Sequence, residues 1–279
     1  MKTKVPTLSE ATRVVYRRRY NGGGSANNFL IAMKHNLEAI GNLPVNKITK
    51  QHMKQMMDYH QIKRKNSKPV INTKLGYMKI VLEEMIEDGF LKEADFPKRF
   101  QSKKRKVHYL TENMEKELLD YFITHGEFEG RDIVKCLIDL GCRISELLSL
   151  EKRFVDYENN QIIFNERKND TPVGVPMTNK VRDILKPYYE RSGDFDTFFS
   201  GDYFWMNGIW ERARKFLGHK DKKYYVIHLC RHTCASRLVQ RGVELLIVKD
   251  WLGHEDIQTT MIYAHLAPKA LHSVVEVLN

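Results

Sequence analysis

Between residues 228 and 263 the sequence sets His228, Arg231, His232, His254 and Tyr263 into a stretch that is otherwise apolar and helix-forming. These side-chain types suit one kind of chemistry, the transfer of a phosphodiester to a phenol. Guanidinium and imidazole N–H groups hydrogen-bond the non-bridging phosphate oxygens while the phenolate attacks phosphorus. A phenol ionises only near pH 10, so its proton has to be taken by a neighbour. The pentacoordinate state gathers negative charge on two oxygens, and arginines that each offer paired N–H donors can hold that charge as a metal ion would.

Plainer readings compete. His228 and His232 are four residues apart and share a helix face, like a zinc-binding pair, with Cys230 and Cys234 nearby. A zinc protease, however, needs Glu after the first histidine, where this chain has Leu229, and no Cys-x-x-Cys occurs anywhere. A histidine inside an apolar helix is most often a satisfied core residue, and His232 reads that way. Tyr263 taken alone would be one packing residue among 13 tyrosines. A Ser/His/Asp hydrolase lacks its Gly-x-Ser-x-Gly elbow.

The elements that must hold these residues lie upstream. An apolar helix from Ile133 to Leu140 stops at Gly141 and is followed by Cys-Arg-Ile-Ser-Glu-Leu-Leu, which places Arg143 three residues before Glu146. By itself that is an Arg–Glu ion pair. Residues 154–176 hold three short runs of β-formers, Phe154 to Tyr157, Gln161 to Phe164 and Val173 to Pro176, separated by Asn, Asp and Gly turns. Lys168 stands in the turn before the last strand, with Arg167 beside it. Helices are expected from Tyr109, over Asn179 to Tyr189, and over 202–217 with Trp205, Trp210 and Phe216.

The first hundred residues carry helical periodicity and no strand pattern. A short helix from Ser9 to Tyr20 contains three arginines at 17–19 and ends at the glycines of 21–24. Three helices follow, built on Phe29 to Ile40, on Met53 to Tyr59 and on Ile71 to Phe90. The exposed faces read as basic, with Lys47, Lys50, Lys54, Lys63, Arg64, Lys65, Lys68, Lys74 and Lys79. Residues 97–108 read as a linker holding Lys103, Lys104, Arg105 and Lys106. After Pro268, the residues Leu271, Val274, Val275 and Leu278 form one apolar stripe on a short helix. The domain layout is therefore a short N-terminal segment at 1–24, a helical domain at 25–96, a basic linker at 97–108 and a second domain at 109–279. The fold class is mainly α with a small antiparallel β-sheet, an all-α N-terminal bundle followed by an α+β domain.

Composition narrows the partner. Lys and Arg exceed Asp and Glu by 46 − 35 = 11, which points to a polyanion, nucleic acid before an anionic membrane. No apolar run is long enough to span a bilayer and no signal-peptide core opens the chain, so a cytoplasmic protein without membrane contact is expected. The four cysteines at 136, 142, 230 and 234 read as buried thiols of a reducing compartment.

Three motifs carry a resemblance. Gly-x-Arg-Ile-Ser-Glu-Leu-x-x-Leu at 141–150, His-x-x-Arg-His-Thr at 228–233, and Leu-Gly-His followed by Thr-Thr-x-x-Tyr-x-His at 252–265 occur in the order found in the tyrosine recombinases of the phage-integrase family. The chain resembles that family across its second half, and across 25–95 by position and helix content; cysteine at 142 departs from the larger apolar residue common there. The resemblance implies a site-specific DNA recombinase that cleaves and rejoins strands through a 3′-phosphotyrosyl link, without metal, ATP or other cofactor. It makes Tyr263 the nucleophile, Arg143, Arg231 and His254 the phosphate donors, His228 an aid to proton transfer from Tyr263 and Lys168 the general acid, with Glu146 and His232 in support. It further implies double-stranded attachment sites contacted by the 103–106 run, a tetramer in the synaptic complex, accessory DNA-bending proteins, and a phage or other mobile element. A type IB topoisomerase and a binding-only DNA protein share enough of these features to stand as alternatives.

Overall fold

The computed structural model describes residues 4–20, 24–101, 106–164 and 173–268, and the chain divides into two compact units, Met1–Lys104 and Arg105–Asn279. In the first unit, α1 (Leu8–Val15) starts where Thr7 Oγ1 accepts the Glu10 N–H and the Glu10 carboxylate accepts the Thr7 N–H at 2.7 Å, a reciprocal cap. A π-helical turn, Tyr16–Tyr20, leads on to α2 (Gly24–Ile40), α3 (Lys50–Ile62) and α4 (Lys68–Glu87). Their apolar faces meet in a core of Leu8, Val15, Phe29, Ile71 and Leu82 with Met33, Met53, Met56 and Met78, flexible side chains that fill the gaps between crossing helices.

Residues 4–20, part of the segment that the sequence sets apart, share this core through Leu8, Ala11 and Val15. A backbone bridge, Thr7 to Pro44, anchors the start of α1. Arg18 and Arg19 from the arginine run bond Glu84 at 2.9 and 2.7 Å, and Arg18 also reaches Asp88. Lys74, expected on the solvent face, is instead buried, its Nζ 3.2 Å from His35 Nδ1. Its carbonyl accepts from Asn36, whose Oδ1 meets His60 Nε2 at 2.9 Å, so a polar knot satisfies groups that helix crossing removes from water.

The second unit contains α5 (Glu112–Thr124), α6 (Phe128–Leu140), α7 (Ile144–Leu148), β1 (Val155–Asp156), β2 (Gln161–Phe164), β3 (Val173–Pro176), α8 (Asn179–Arg191), α9 (Tyr203–Phe216), α10 (Leu229–Gln240), α11 (Leu245–Leu252) and α12 (Ile257–Thr260), closed by a 3-10 turn, Met261–Leu266. The strands form an antiparallel sheet in the order β1-β2-β3, with Val155 opposite Ile162 and Ile162 opposite Val175. Helix α6 is apolar on most sides and runs through the centre of this unit's core, packed on α8 and α10. Trp210 is fully buried and donates from Nε1 to the Tyr225 carbonyl, whereas Phe216, on the same expected helix, is exposed.

The linker's last residues belong to this unit. Val107 is buried beside Tyr263, and His108 stacks on Tyr224 with ring centroids 3.8 Å apart. All four cysteines are buried thiols outside any disulfide. Lys103, Lys104 and Arg105, the turn carrying Arg167 and Lys168, and the stripe after Pro268 lie outside the described residues. Lys106 is exposed.

Candidate active site

Two glycines set the frame. Gly141 ends α6 in the left-handed region at φ +63°, and a Cβ there would stand 2.6 Å from Leu252 Cδ2 and 2.9 Å from Cys234 Sγ. Only glycine combines that backbone with that contact. Gly253 ends α11 at φ +66° and turns the chain so that the His254 N–H bonds the Lys249 carbonyl at 3.0 Å.

Arg231 ties these two ends together. It is 3% exposed, and its Nη1 and Nη2 donate to the carbonyls of Gly141 at 2.7 Å and Leu252 at 2.8 Å. Two of its five N–H groups are thus fixed on main chain. Burial, then the positive charge of Arg143, lowers its pKa, although a guanidinium stays protonated at neutral pH.

Arg143 caps α7. Its own N–H and its Nη1 bond the two oxygens of Glu146 at 2.8 and 2.5 Å. The Glu146 carboxylate is 3% exposed and the Arg143 side chain 46%. The ion pair expected from the sequence exists, and it steers a half-exposed guanidinium toward solvent without using it up.

Three histidines share this field. His254 Nδ1 lies 2.8 Å from the hydroxyl of Thr260, which is fully buried. Burial pushes the His254 imidazole down to about 4, helped by Arg231, Arg143, His228 and His232. His228 precedes α10, and burial with Arg231 and Arg143 lowers it as well. His232, one turn on, meets the His228 ring edge-on at 4.9 Å, and burial followed by His228, Arg231 and His108 brings it to about 4.

Tyr263 sits in the 3-10 turn with its ring among Val107, Ala235, Val239, Val248 and Leu252. Burial raises its phenol to about 12, and Arg231 pulls the other way. Its hydroxyl lies 2.6 Å from His232 Nδ1. The sequence reading assigned His232 to the core; the structure makes it the residue at the phenol. A helical face carrying i and i+4 histidines was the signal, but spacing alone could not say which of them Tyr263 would reach. The roles of Gly141 and Thr260 were equally hidden, since each depends on an element distant in sequence. Among the described residues no group of three or more His, Cys, Asp or Glu is arranged to hold a metal ion.

The arrangement therefore joins a buried phenol, an imidazole on its oxygen, two guanidinium groups and a further imidazole oriented by a hydroxyl. Comparison with known proteins agrees with the three motifs. The profile of the phage integrase family matches residues 108–270, more than half of the chain. A tyrosine recombinase XerA of Saccharolobus solfataricus is 34% identical over 134 residues, 48% of this chain and 45% of that protein. The integrase of Escherichia phage 186 is 28% identical over 210 residues, 74% of this chain and 59% of that protein. The alignment to a probable integrase/recombinase of Methanocaldococcus jannaschii spans 46% of that relative, so this chain spans about half the length of these two relatives. In fold, the chain is similar to the Tn1549 transposon integrase in complex with a circular intermediate DNA (TM-score 0.79, 18% identity, 98% of this chain and 100% of the other). It is similar also to a lambda integrase dimer bound to a COC′ core site (TM-score 0.71, 15% identity, 92% and 77%). From the profile match, the motifs and the site they build, this chain is a member of the phage integrase family of tyrosine recombinases.

Proposed function

We propose that the protein is a site-specific DNA recombinase that integrates or excises a mobile element by forming a 3′-phosphotyrosyl link through Tyr263. The observation that carries this is the Tyr263 hydroxyl 2.6 Å from His232 Nδ1, next to Arg231, whose guanidinium is anchored on the carbonyls of Gly141 and Leu252 at the ends that lead into Arg143 and His254. Arg143, Arg231 and His254 would hold the non-bridging oxygens, and removing one such donor typically costs about 3–4 kcal/mol of transition-state stabilisation. Lys168, with Arg167 as its alternate, would protonate the departing 5′ oxygen, as the family resemblance implies. The covalent link conserves the energy of the broken bond, so rejoining needs no ATP.

The basic run at 103–106 would cross the phosphate backbone, and the apolar stripe after Pro268 would dock on a neighbouring protomer in a closed ring of four. Light scattering of the DNA complex after truncation at Pro268 tests that docking, since a tetramer unchanged in yield places the stripe on its own subunit. The neighbours solved with DNA, and the lambda integrase dimer on its core site, support a DNA partner.

The decisive experiment is a nicked suicide duplex, with sites found by sequencing genomic fragments trapped on the protein. The native chain should form a covalent adduct in EDTA, and Tyr263→Phe should bind the duplex without forming it. An adduct formed by the Phe variant would remove Tyr263 from its role. Efficient relaxation of supercoiled DNA with no preferred site would instead favour the topoisomerase reading.

A further inference from the structure

Among the described residues, the titratable group that the Tyr263 oxygen touches is His232, whose Nδ1 lies at 2.6 Å. His228, which the family resemblance makes an aid to that proton's transfer, lies one helical turn back with its ring edge-on to that of His232 at 4.9 Å. We infer that His232 receives the Tyr263 proton as the phenol attacks phosphorus, leaving His228 to serve the phosphate with the two arginines. This rests on the recombinase reading above and deepens it.

The step balances. The Oη–H bond breaks as Oη–P forms, and the proton passes to His232 Nδ1, giving an imidazolium. The P–O5′ bond breaks with its electron pair on the 5′ oxygen, which takes a proton from the general acid. Rejoining runs this backwards, and the imidazolium returns its proton to the departing Tyr263 oxygen.

The surroundings fit a base that acts only on demand. Among the described residues, the charged and titratable groups around His232 are Arg231 on its own helix, His228 at the start of that helix, His108 ahead of α5, and Tyr263. Held neutral among them, the imidazole keeps its Nδ1 lone pair but is too weak a base to ionise a phenol at about 12. Burial is the larger cause of that weakness, with His228, Arg231 and His108 adding to it; an anionic phosphodiester on Arg231 would offset that arginine's part, so the basicity of His232 would rise when substrate arrives.

Single-turnover cleavage of the suicide duplex tests this with His232→Ala and His232→Asn. Asparagine places a hydrogen-bonding atom near Nδ1 but cannot hold a proton, so both variants should cleave about 10²–10⁴-fold more slowly while binding DNA normally. Native-rate cleavage by either variant overturns the inference; from Asn it would leave His232 a mere hydrogen-bond partner. A second measurement excludes a purely structural role. A strand ending in a 3′-p-nitrophenyl phosphate carries a leaving group that needs no proton. Tyr263→Phe and the Tyr263→Phe, His232→Asn double variant should join it to a 5′-hydroxyl strand at the same rate. A slower double variant would mean that His232 shapes the site and does not move the proton. Failure of the recombinase reading shows separately, as a native chain that forms no covalent adduct with the suicide duplex.

Discussion

Thr260 Oγ1 and His254 Nδ1 lie 2.8 Å apart, with Thr260 fully buried, so the hydroxyl fixes the rotation of the imidazole that the Gly253 turn delivers. If Nδ1 accepts the Thr260 hydrogen, Nε2 carries the proton that a phosphate oxygen would take. Thr260→Val keeps the shape and removes this bond. A lost hydrogen bond of this kind is worth about 1–2 kcal/mol, so single-turnover cleavage should fall roughly tenfold with little change in DNA affinity. Thr260→Ser should restore it. Undiminished cleavage by the Val variant would show that His254 is oriented some other way.

Gly141 should tolerate no side chain. Its φ of +63° and the 2.6 Å approach of Leu252 mean that Gly141→Ala strains the backbone and overfills the contact. About 1–2 kcal/mol for the left-handed residue and 1–3 kcal/mol for overpacking predict a loss of about 2–5 kcal/mol, read as a lower urea midpoint. The same change moves the carbonyl that holds Arg231, so cleavage should fall in the fraction that remains folded.

The histidines give the stability a direction with pH. Burial holds His60, His232 and His254 at about 4 in the folded chain, against about 6.5 when unfolded. The unfolded chain therefore binds protons first as pH falls. Stability is full above about 6.5, declines as pH drops toward 4, and levels off below. Each histidine adds up to about 1.4 kcal/mol per pH unit to that slope. Urea midpoints between pH 7 and 5 should fall, and His60→Gln should flatten the part of the slope that belongs to the first unit. A flat profile would contradict the burial of these rings.

Salt should weaken DNA binding steeply, with a log–log slope consistent with roughly 6–10 phosphate contacts. Neutralising Lys103, Lys104, Arg105 and Lys106 together should shrink that slope almost equally for all sequences. Neutralising Arg18 and Arg19 should leave it unchanged and lower stability instead, because both are engaged with Glu84. A loss confined to one sequence after changing the 103–106 run would mean that it reads bases.

The helices and strands were legible because their signals are local. The heptad-like spacing of Leu75, Met78, Leu82 and Met85 and the run Gln161 to Phe164 each belong to one element. The chemistry-bearing residues were legible as motifs. Their partners were not, because Arg231 is held by carbonyls 90 and 21 residues away, and the hydroxyl of Tyr263 by an imidazole 31 residues back. The burial of Lys74 was invisible for the same reason: a lysine on a polar-looking helix face carries no mark of the His35 waiting across the crossing.

Glu84 gives the arginine run a different meaning from the one its charge suggests. With the bridge at Thr7 holding one end of α1 and Glu84 and Asp88 holding Arg18 near the other, residues 4–20 are attached to their bundle twice over by non-covalent means. Leu8, Ala11 and Val15 supply the apolar seat between those two anchors. Such a segment has the makings of a complementing fragment: a peptide of residues 4–20, supplied separately, should find its place on a bundle that begins at residue 24. Raising the salt concentration would then loosen the protein's hold on its own first helix as well as on DNA, which links the occupancy of that seat to ionic strength.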